Sequence, residues 1–192
     1  GAPAVVWGGR FAGNPLGARV RVMRPAEAVV HYERALQLRP AADAHFNLGV
    51  ALLELDRIDV AATHLRAALL SDPTLAEAHY QLGRINERTG RTREAELGFS
   101  ATLRLSPDHL GAHRRLGLGL ARREDFAAAA GHFRAIIRLA PADADAHANL
   151  GNVLLLLGQP REAIARYEEA LRLRPDDPRT RESLRLARQS LP

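Results

Sequence analysis

Ala-Asp-Ala-His-Phe-Asn-Leu-Gly-Val-Ala-Leu-Leu-Glu-Leu-Asp-Arg-Ile-Asp-Val-Ala-Ala-Thr-His-Leu-Arg-Ala-Ala-Leu-Leu-Ser-Asp-Pro, residues 42–73, decides how this chain folds, because the chain then says it three more times. The frame Ala-His-x-x-Leu-Gly stands at Ala44/His45, Ala78/His79, Ala112/His113 and Ala146/His147, and neighbouring numbers differ by 34 each time. A fixed period of this length marks an array of stacked repeats, each unable to bury its apolar face alone.

Within each period two helices are predicted. In the last, Asp143 stands as an N-cap, residues 144–157 form a first helix (A), Gly158 supplies the turn, and residues 160–174 form a second (B). Pro73, Pro107, Pro141 and Pro175 close the B helices, again in steps of 34. Pro25-Ala26-Glu27-Ala28 and Tyr32 to Pro40 match the B helix of the last repeat, so the array opens on half a repeat. Proline in a first helical turn costs little, because its missing N–H would be unpaired there anyway. The expected organisation is a non-repeat, flexible segment over residues 1–24, with 19–22 as a conceivable extended piece, and one array over residues 25–177. The array divides into 25–41, 42–75, 76–109, 110–143 and 144–177, and residues 178–192 form a C-terminal capping helix behind Asp177.

Composition agrees with an all-α class. Hydrophobic residues make up 46% of the 192 residues but aromatics only 5%, with alanine and leucine dominant, which favours closely packed helices over sheet. There is no cysteine, which excludes a disulfide framework and a thiolate metal site. The net charge is +5 and all 27 basic residues are arginine, interspersed with acids rather than segregated. No apolar run approaches the roughly 18 residues that span a bilayer. The compartment is left open, with the cytoplasm favoured.

These residues resemble the tetratricopeptide repeat family, whose pattern falls in the last repeat on His147, Leu150, Gly151, Leu154, Ala163, Tyr167, Ala170 and Pro175. The match covers residues 25–175. The resemblance implies a right-handed superhelical solenoid of antiparallel helix pairs. It also implies a groove lined by the A helices that takes an extended peptide. Carried onto this chain, the peptide-binding positions are Phe46, Asn47, Tyr80, Gln81, Arg84, Arg88, Arg114, Arg115, Arg122, Asn149 and Asn152.

Two features of that series carry chemistry. Asn47, Gln81 and Asn149 occupy equivalent positions, with Arg115 interrupting; side-chain amides donate and accept, and so pair with a peptide backbone. The series is similar to the asparagine ladder in the repeats of O-linked N-acetylglucosamine transferases. Arg84, Arg88, Arg114, Arg115 and Arg122 suit carboxylates. Chaperone-binding members of the family hold a carboxylate with a clamp that includes lysines, which this chain lacks. For both features the alternative is a helix face that is merely solvated.

The histidines at 45, 79, 113 and 147 look like a ligand series, but equivalent positions lie a helix pair apart, too far for one metal, and they read as packing residues. His109 and His113 are four apart without a third ligand, and no catalytic or phosphate-binding motif occurs. The expected function is a non-catalytic, cofactor-free scaffold for an extended, acidic protein or peptide partner. Nucleic acid is disfavoured because few aromatics interleave the arginines. Two alternatives stand: the recognition arm of a larger enzyme such as a glycosyltransferase, and a self-associating module. The second follows from the half repeat 25–41, whose Ala28, Val29, Tyr32 and Leu36 need covering by residues 1–24 or by another copy in a homodimer.

Overall fold

The computed structural model describes residues 24–191; the readings placed on residues 1–23 lie outside it. Among the described residues there are ten α-helices and no strand: α1 (Pro25–Leu38), α2 (Ala42–Glu54), α3 (Ile58–Ser71), α4 (Ala76–Arg88), α5 (Thr92–Leu105), α6 (Leu110–Arg122), α7 (Phe126–Leu139), α8 (Ala144–Leu156), α9 (Pro160–Leu173) and α10 (Pro178–Gln189). The predicted A and B helices correspond to α2 to α9, each within a residue or two of its expected end. Pro25, Pro160 and Pro178 each sit in a first turn. Asp125, Asp143 and Asp177 cap α7, α8 and α10 by accepting backbone N–H bonds.

The chain divides between Thr89 and Gly90 into two compact units. The sequence treats 25–177 as a single array, whereas the division falls inside its second full repeat, at the turn between α4 and α5. In the first unit α2 packs on α1 and α3, and α3 on α4; in the second, α5 to α10 pack in succession. This is the nearest-neighbour connectivity of a repeat array.

Helices A and B approach closely where one bears a glycine. A methyl group built on Gly151 would lie 2.6 Å from Cε1 of Tyr167, on Gly117 3.0 Å from Cε1 of Phe133, and on Gly49 2.8 Å from Cγ of Leu65. The contacts at Gly151 and Gly49 would be clashes and that at Gly117 a tight one that Phe133 would have to relieve by a few tenths of an ångström, in each case with a buried side chain of the same repeat. Leu65, Phe133 and Tyr167 lie over these glycines and also cluster with residues of the helices that follow: Leu65 with Ala78 and Ile85, and Phe133 and Tyr167 in one cluster with Leu150, Leu154 and Leu184.

The half repeat packs on the first full repeat: Ala28 and Val29 are buried in one cluster with Leu48, Ala51, Leu52 and Ala61, and the half-buried Tyr32 and Leu36 pack against it. α10 contacts α9 and α8, burying Thr180, Leu184 and Ala187 while its arginines face water.

The A-to-B turn places one residue per repeat in the left-handed region: Asp56 at φ 59°, Gly90 at 76°, Glu124 at 62° and Gly158 at 72°. For a residue with a Cβ this conformation costs roughly 1–2 kcal/mol. A Cβ on Gly158 would meet nothing within 4 Å, so only the backbone term operates there. Glu124→Gly is expected to raise stability by about 0.5–1 kcal/mol and Gly158→Ala to lower it by about 1 kcal/mol. Urea unfolding of both variants checks this; shifts of equal sign would contradict it.

Candidate functional site

Within each A helix the predicted positions can share a side, because residues three and four apart lie on one side of a helix. In the first unit α2 contributes Phe46 and Asn47 and α4 contributes Tyr80, Gln81, Arg84 and Arg88. Phe46 is half-buried against the cluster of Ala62, Leu65, Ala78 and Ile85, so much of its ring is core. Asn47 is half-buried, and no hydrogen bond from its amide is found among the described residues. Gln81 is different. Its Nε2 donates to Glu77 Oε1 at 2.6 Å and its Oε1 accepts from Arg84 Nη1 at 3.0 Å, so the amide is engaged within α4. Arg84 is exposed, with its guanidinium carbon 6.0 Å from the Tyr80 ring centroid. Arg88 donates to Asp56 at 2.5 Å across an exposed pair.

In the second unit α6 carries Arg114, Arg115 and Arg122, and α8 carries Asn149 and Asn152. Arg114 binds the carboxylate of Asp143, the same side chain whose Oδ1 accepts the Ala146 N–H at 2.9 Å and caps α8. Burial pushes the Asp143 carboxyl upward, but the bond from Arg114 and the backbone amides of Ala146 and Asp145 outweigh it and hold the group below its ordinary range. Arg114 therefore ties α6 to the start of α8. Arg115 is half-buried and Arg122 is exposed at the last turn of α6. Asn149 is half-buried, again with no hydrogen bond found among the described residues. Asn152 accepts the Tyr167 hydroxyl at 2.8 Å. That phenol is buried, and burial pushes its pKa up to about 12. Asn152 thus satisfies a core group as well as facing outward.

Of the eleven predicted positions, then, Asn47, Asn149, Arg84 and Arg122 keep polar groups accessible, whereas Gln81, Arg88, Arg114 and Asn152 already hold bonds inside the fold.

The histidines have a role that packing does not describe. Nε2 of His79, His113 and His147 lies 3.1, 2.8 and 3.0 Å from the carbonyl of Pro73, Pro107 and Pro141, six residues earlier in each case. A carbonyl only accepts, so Nε2 carries the proton, and each bond fastens the start of helix A to the end of the preceding helix B. Two B-helix histidines complete the picture: Nδ1 of His132 lies 2.9 Å from Nδ1 of His113, and Nδ1 of His64 lies 3.0 Å from Nδ1 of His45. The signal was available in sequence, since His64 and His132 stand two periods apart and nineteen residues after an A-helix histidine. His109, considered with His113 as a ligand pair, instead caps α6 by accepting the Ala112 N–H through Nδ1 at 3.0 Å.

This architecture and the sequence agree on one class, the all-α helix-pair repeat. The tetratricopeptide repeat family profile matches residues 18–76, 51–109, 80–144 and 114–178, and the chain belongs to that family. Similar solved structures include MamA from Desulfovibrio magneticus RS-1, residues 41 to the end, with 23% identity, 77% of this chain and 89% of that chain covered, and a TM-score of 0.66. The crystal structure of YrrB, a TPR protein with an unusual peptide-binding site, has 21% identity over 86% of this chain and 84% of that one, with a TM-score of 0.69. The Cut9–Hcn1 hetero-tetramer of the APC/C matches with 20% identity over 84% of this chain but 32% of that one, with a TM-score of 0.67. No curated protein sequence matches the chain.

The histidine pairs make stability depend on pH. Burial lowers the pKa of His132, and the adjacent His113 lowers it further; His64 is lowered by burial and by His45, against an opposing contribution from Glu33. With folded pKa values depressed, the unfolded chain binds more protons, so stability is present above the unfolded pKa of about 6.5 and is lost as pH falls through the folded values. Urea unfolding should show the chain weaker at about pH 5.5 than at about pH 7.5, and the His64→Gln/His132→Gln variant should lose part of that difference. An unchanged pH dependence in the variant would contradict the assignment.

Proposed function

We propose that this chain is a non-catalytic interaction module whose A-helix faces hold an extended segment of a partner protein, with acidic side chains or a free carboxylate favoured. The observation that carries the reading is made in each unit by itself: Asn47 on α2 of the first and Asn149 on α8 of the second stand at equivalent repeat positions, each half-buried, neither amide engaged among the described residues. A primary amide offers two donors and an acceptor, the complement of one peptide unit of an extended chain. A half-buried amide with no hydrogen bond found among the described residues has donors and an acceptor left for such a ligand. The likeness to YrrB, a protein described by its peptide-binding site, supports the same reading at the level of fold.

The arginines sort by how readily a ligand recruits them. Arg84 is exposed and oriented by Gln81 and the Tyr80 ring, and Arg122 is exposed with no ion pair found among the described residues. Arg88 is held by Asp56 in an exposed pair, worth about 0–1 kcal/mol and so easily exchanged. Arg114 is committed to Asp143 and to the α8 cap, and serves the fold.

A peptide array followed by fluorescence anisotropy tests the proposal. Asn47→Ala/Asn149→Ala is expected to weaken all captured peptides. Arg84→Ala/Arg122→Ala is expected to weaken acidic ones selectively, by about tenfold for each charge-assisted bond of about 1.5–3 kcal/mol that is lost. Binding should fall with added salt, since exposed charges are screened over about 8 Å. Captured peptides that are not enriched in acids, or that bind the arginine variant unchanged, would overturn the acidic preference. Indifference to the asparagine variant would overturn the backbone reading.

A further inference from the structure

We propose that a cleft of 480 Å³ along α5 binds the carboxylate of a small hydroxylated organic acid. Helix α5 lines it with Thr92, Arg93, Glu96, Leu97 and Ser100, which share a side of the helix at spacings of three and four, and Arg123 joins them from the end of α6. Small-molecule pockets have volumes of about 300–1,000 Å³. None of the six residues is among the positions proposed above for a partner segment, so the two bindings stand or fall separately.

Comparison along the repeat shows how the cleft is made. At steps of 34, Thr92 stands where the first and third full repeats have Ile58 and Phe126, which pack against apolar clusters. Ser100 stands where the others have Arg66, Arg134 and Glu168. Both exchanges remove volume. Glu96 stands where Ala62, Ala130 and Ile164 pack in or against the core, and Gly119 of α6 stands where Ala51, Ile85 and Val153 are buried. A methyl group built on Gly119 would lie 3.6 Å from Oε1 of Glu96, so the glycine leaves room that a valine or isoleucine would take from the carboxylate. That Oε1 is buried with no hydrogen-bond partner among the described residues, which costs free energy. A charge set at a core position with an oxygen unpaired breaks the local rule that the other repeats obey, as functional sites do.

What the carboxylate gains for the cleft is an oriented guanidinium. Glu96 Oε2 accepts from Arg123 Nη1 at 2.9 Å, while the Arg123 side chain stays 56% exposed and the rest of its donor fork has no partner among the described residues. Thr92, Arg93 and Ser100 are exposed, and no hydrogen bond from their side chains is found among the described residues. Guanidinium forks match carboxylate geometry. Charge selects a monoanion: two guanidiniums against one carboxylate leave the lining with one positive charge, which a single carboxylate neutralises and a doubly charged phosphate exceeds. The hydroxyls of Thr92 and Ser100 both donate and accept, which suits a hydroxyl on the ligand, and Leu97, 65% exposed, offers an apolar wall to its carbon chain.

The test is a nuclear magnetic resonance titration of the full chain at neutral pH with 2-hydroxybutyrate, set beside butyrate, inorganic phosphate and an acetylated acidic peptide. 2-Hydroxybutyrate is expected to shift the amides of residues 92–100 and of Arg123 to saturation, and to bind more tightly than the other three. Arg93→Gln and Arg123→Gln should each weaken it at least tenfold, as loss of a charge-assisted bond does. Ser100→Glu, which places at an exposed position the residue of the last repeat, should abolish binding and leave the fold intact. Unmoved amides in the wild-type chain would overturn the proposal, a reading that depends on no variant. So would undiminished binding in a folded Ser100→Glu chain. Tighter binding of phosphate would overturn the choice of a carboxylate, and tighter binding of the peptide at these amides would overturn the choice of a small acid.

Discussion

The contact on which the rest of this structure depends is a ring laid over a glycine. Tyr167 over Gly151 and Phe133 over Gly117 bring helices A and B close enough that a single added methyl group would sit 2.6 or 3.0 Å from the ring. A glycine inside a helix costs about 1 kcal/mol relative to alanine. The cost is offset because a large aromatic side chain, 1% exposed in both cases, gains a surface to lie on. Leu65 over Gly49 achieves the same contact with an aliphatic side chain. With the helix pair closed in this way, its outer surfaces are left to neighbours and solvent.

What remains on those surfaces is shared between fastening and function. The A helix is tied at its start by a histidine to the preceding proline carbonyl in three repeats, and in the last repeat also by Arg114 to the Asp143 cap. Asp145 on α8 pairs with Arg174 at the end of α9, and Glu168 with Arg188 of α10. Side chains engaged in this way have fewer rotamers left to lose, which would lower the ordering cost of the binding proposed above.

The period and the closing prolines are legible in the sequence because they recur every 34 residues, and the caps Asp143 and Asp177 because an aspartate there immediately precedes a predicted helix. Asp56 and Glu124 hide the left-handed turn position in two repeats, where sequence offers no glycine to announce it, yet they adopt the conformation of Gly90 and Gly158. The pairing of arginines is not legible. Arg84, Arg88 and Arg114 look alike in sequence, but one bonds within its helix, one reaches an aspartate 32 residues away, and one is shared with a helix cap 29 residues on. Long side chains choose among partners by rotamer and packing, and that choice is made by the tertiary structure. The amides divide for the same reason: Gln81 has Glu77 and Arg84 within reach, whereas Asn47 and Asn149 are a methylene shorter.

The close approach is tested most directly by a double-mutant cycle between Gly151→Ala and Tyr167→Val, read by urea unfolding. If the ring and the glycine are mutually required, Gly151→Ala costs about 1–3 kcal/mol with tyrosine present, the usual toll of overpacking. With the ring removed, the alanine is accommodated, and its better helix propensity brings the change to about zero or to a gain. An equal cost in both backgrounds would mean that the ring is not what excludes the methyl group, and the account of how each helix pair closes would fail.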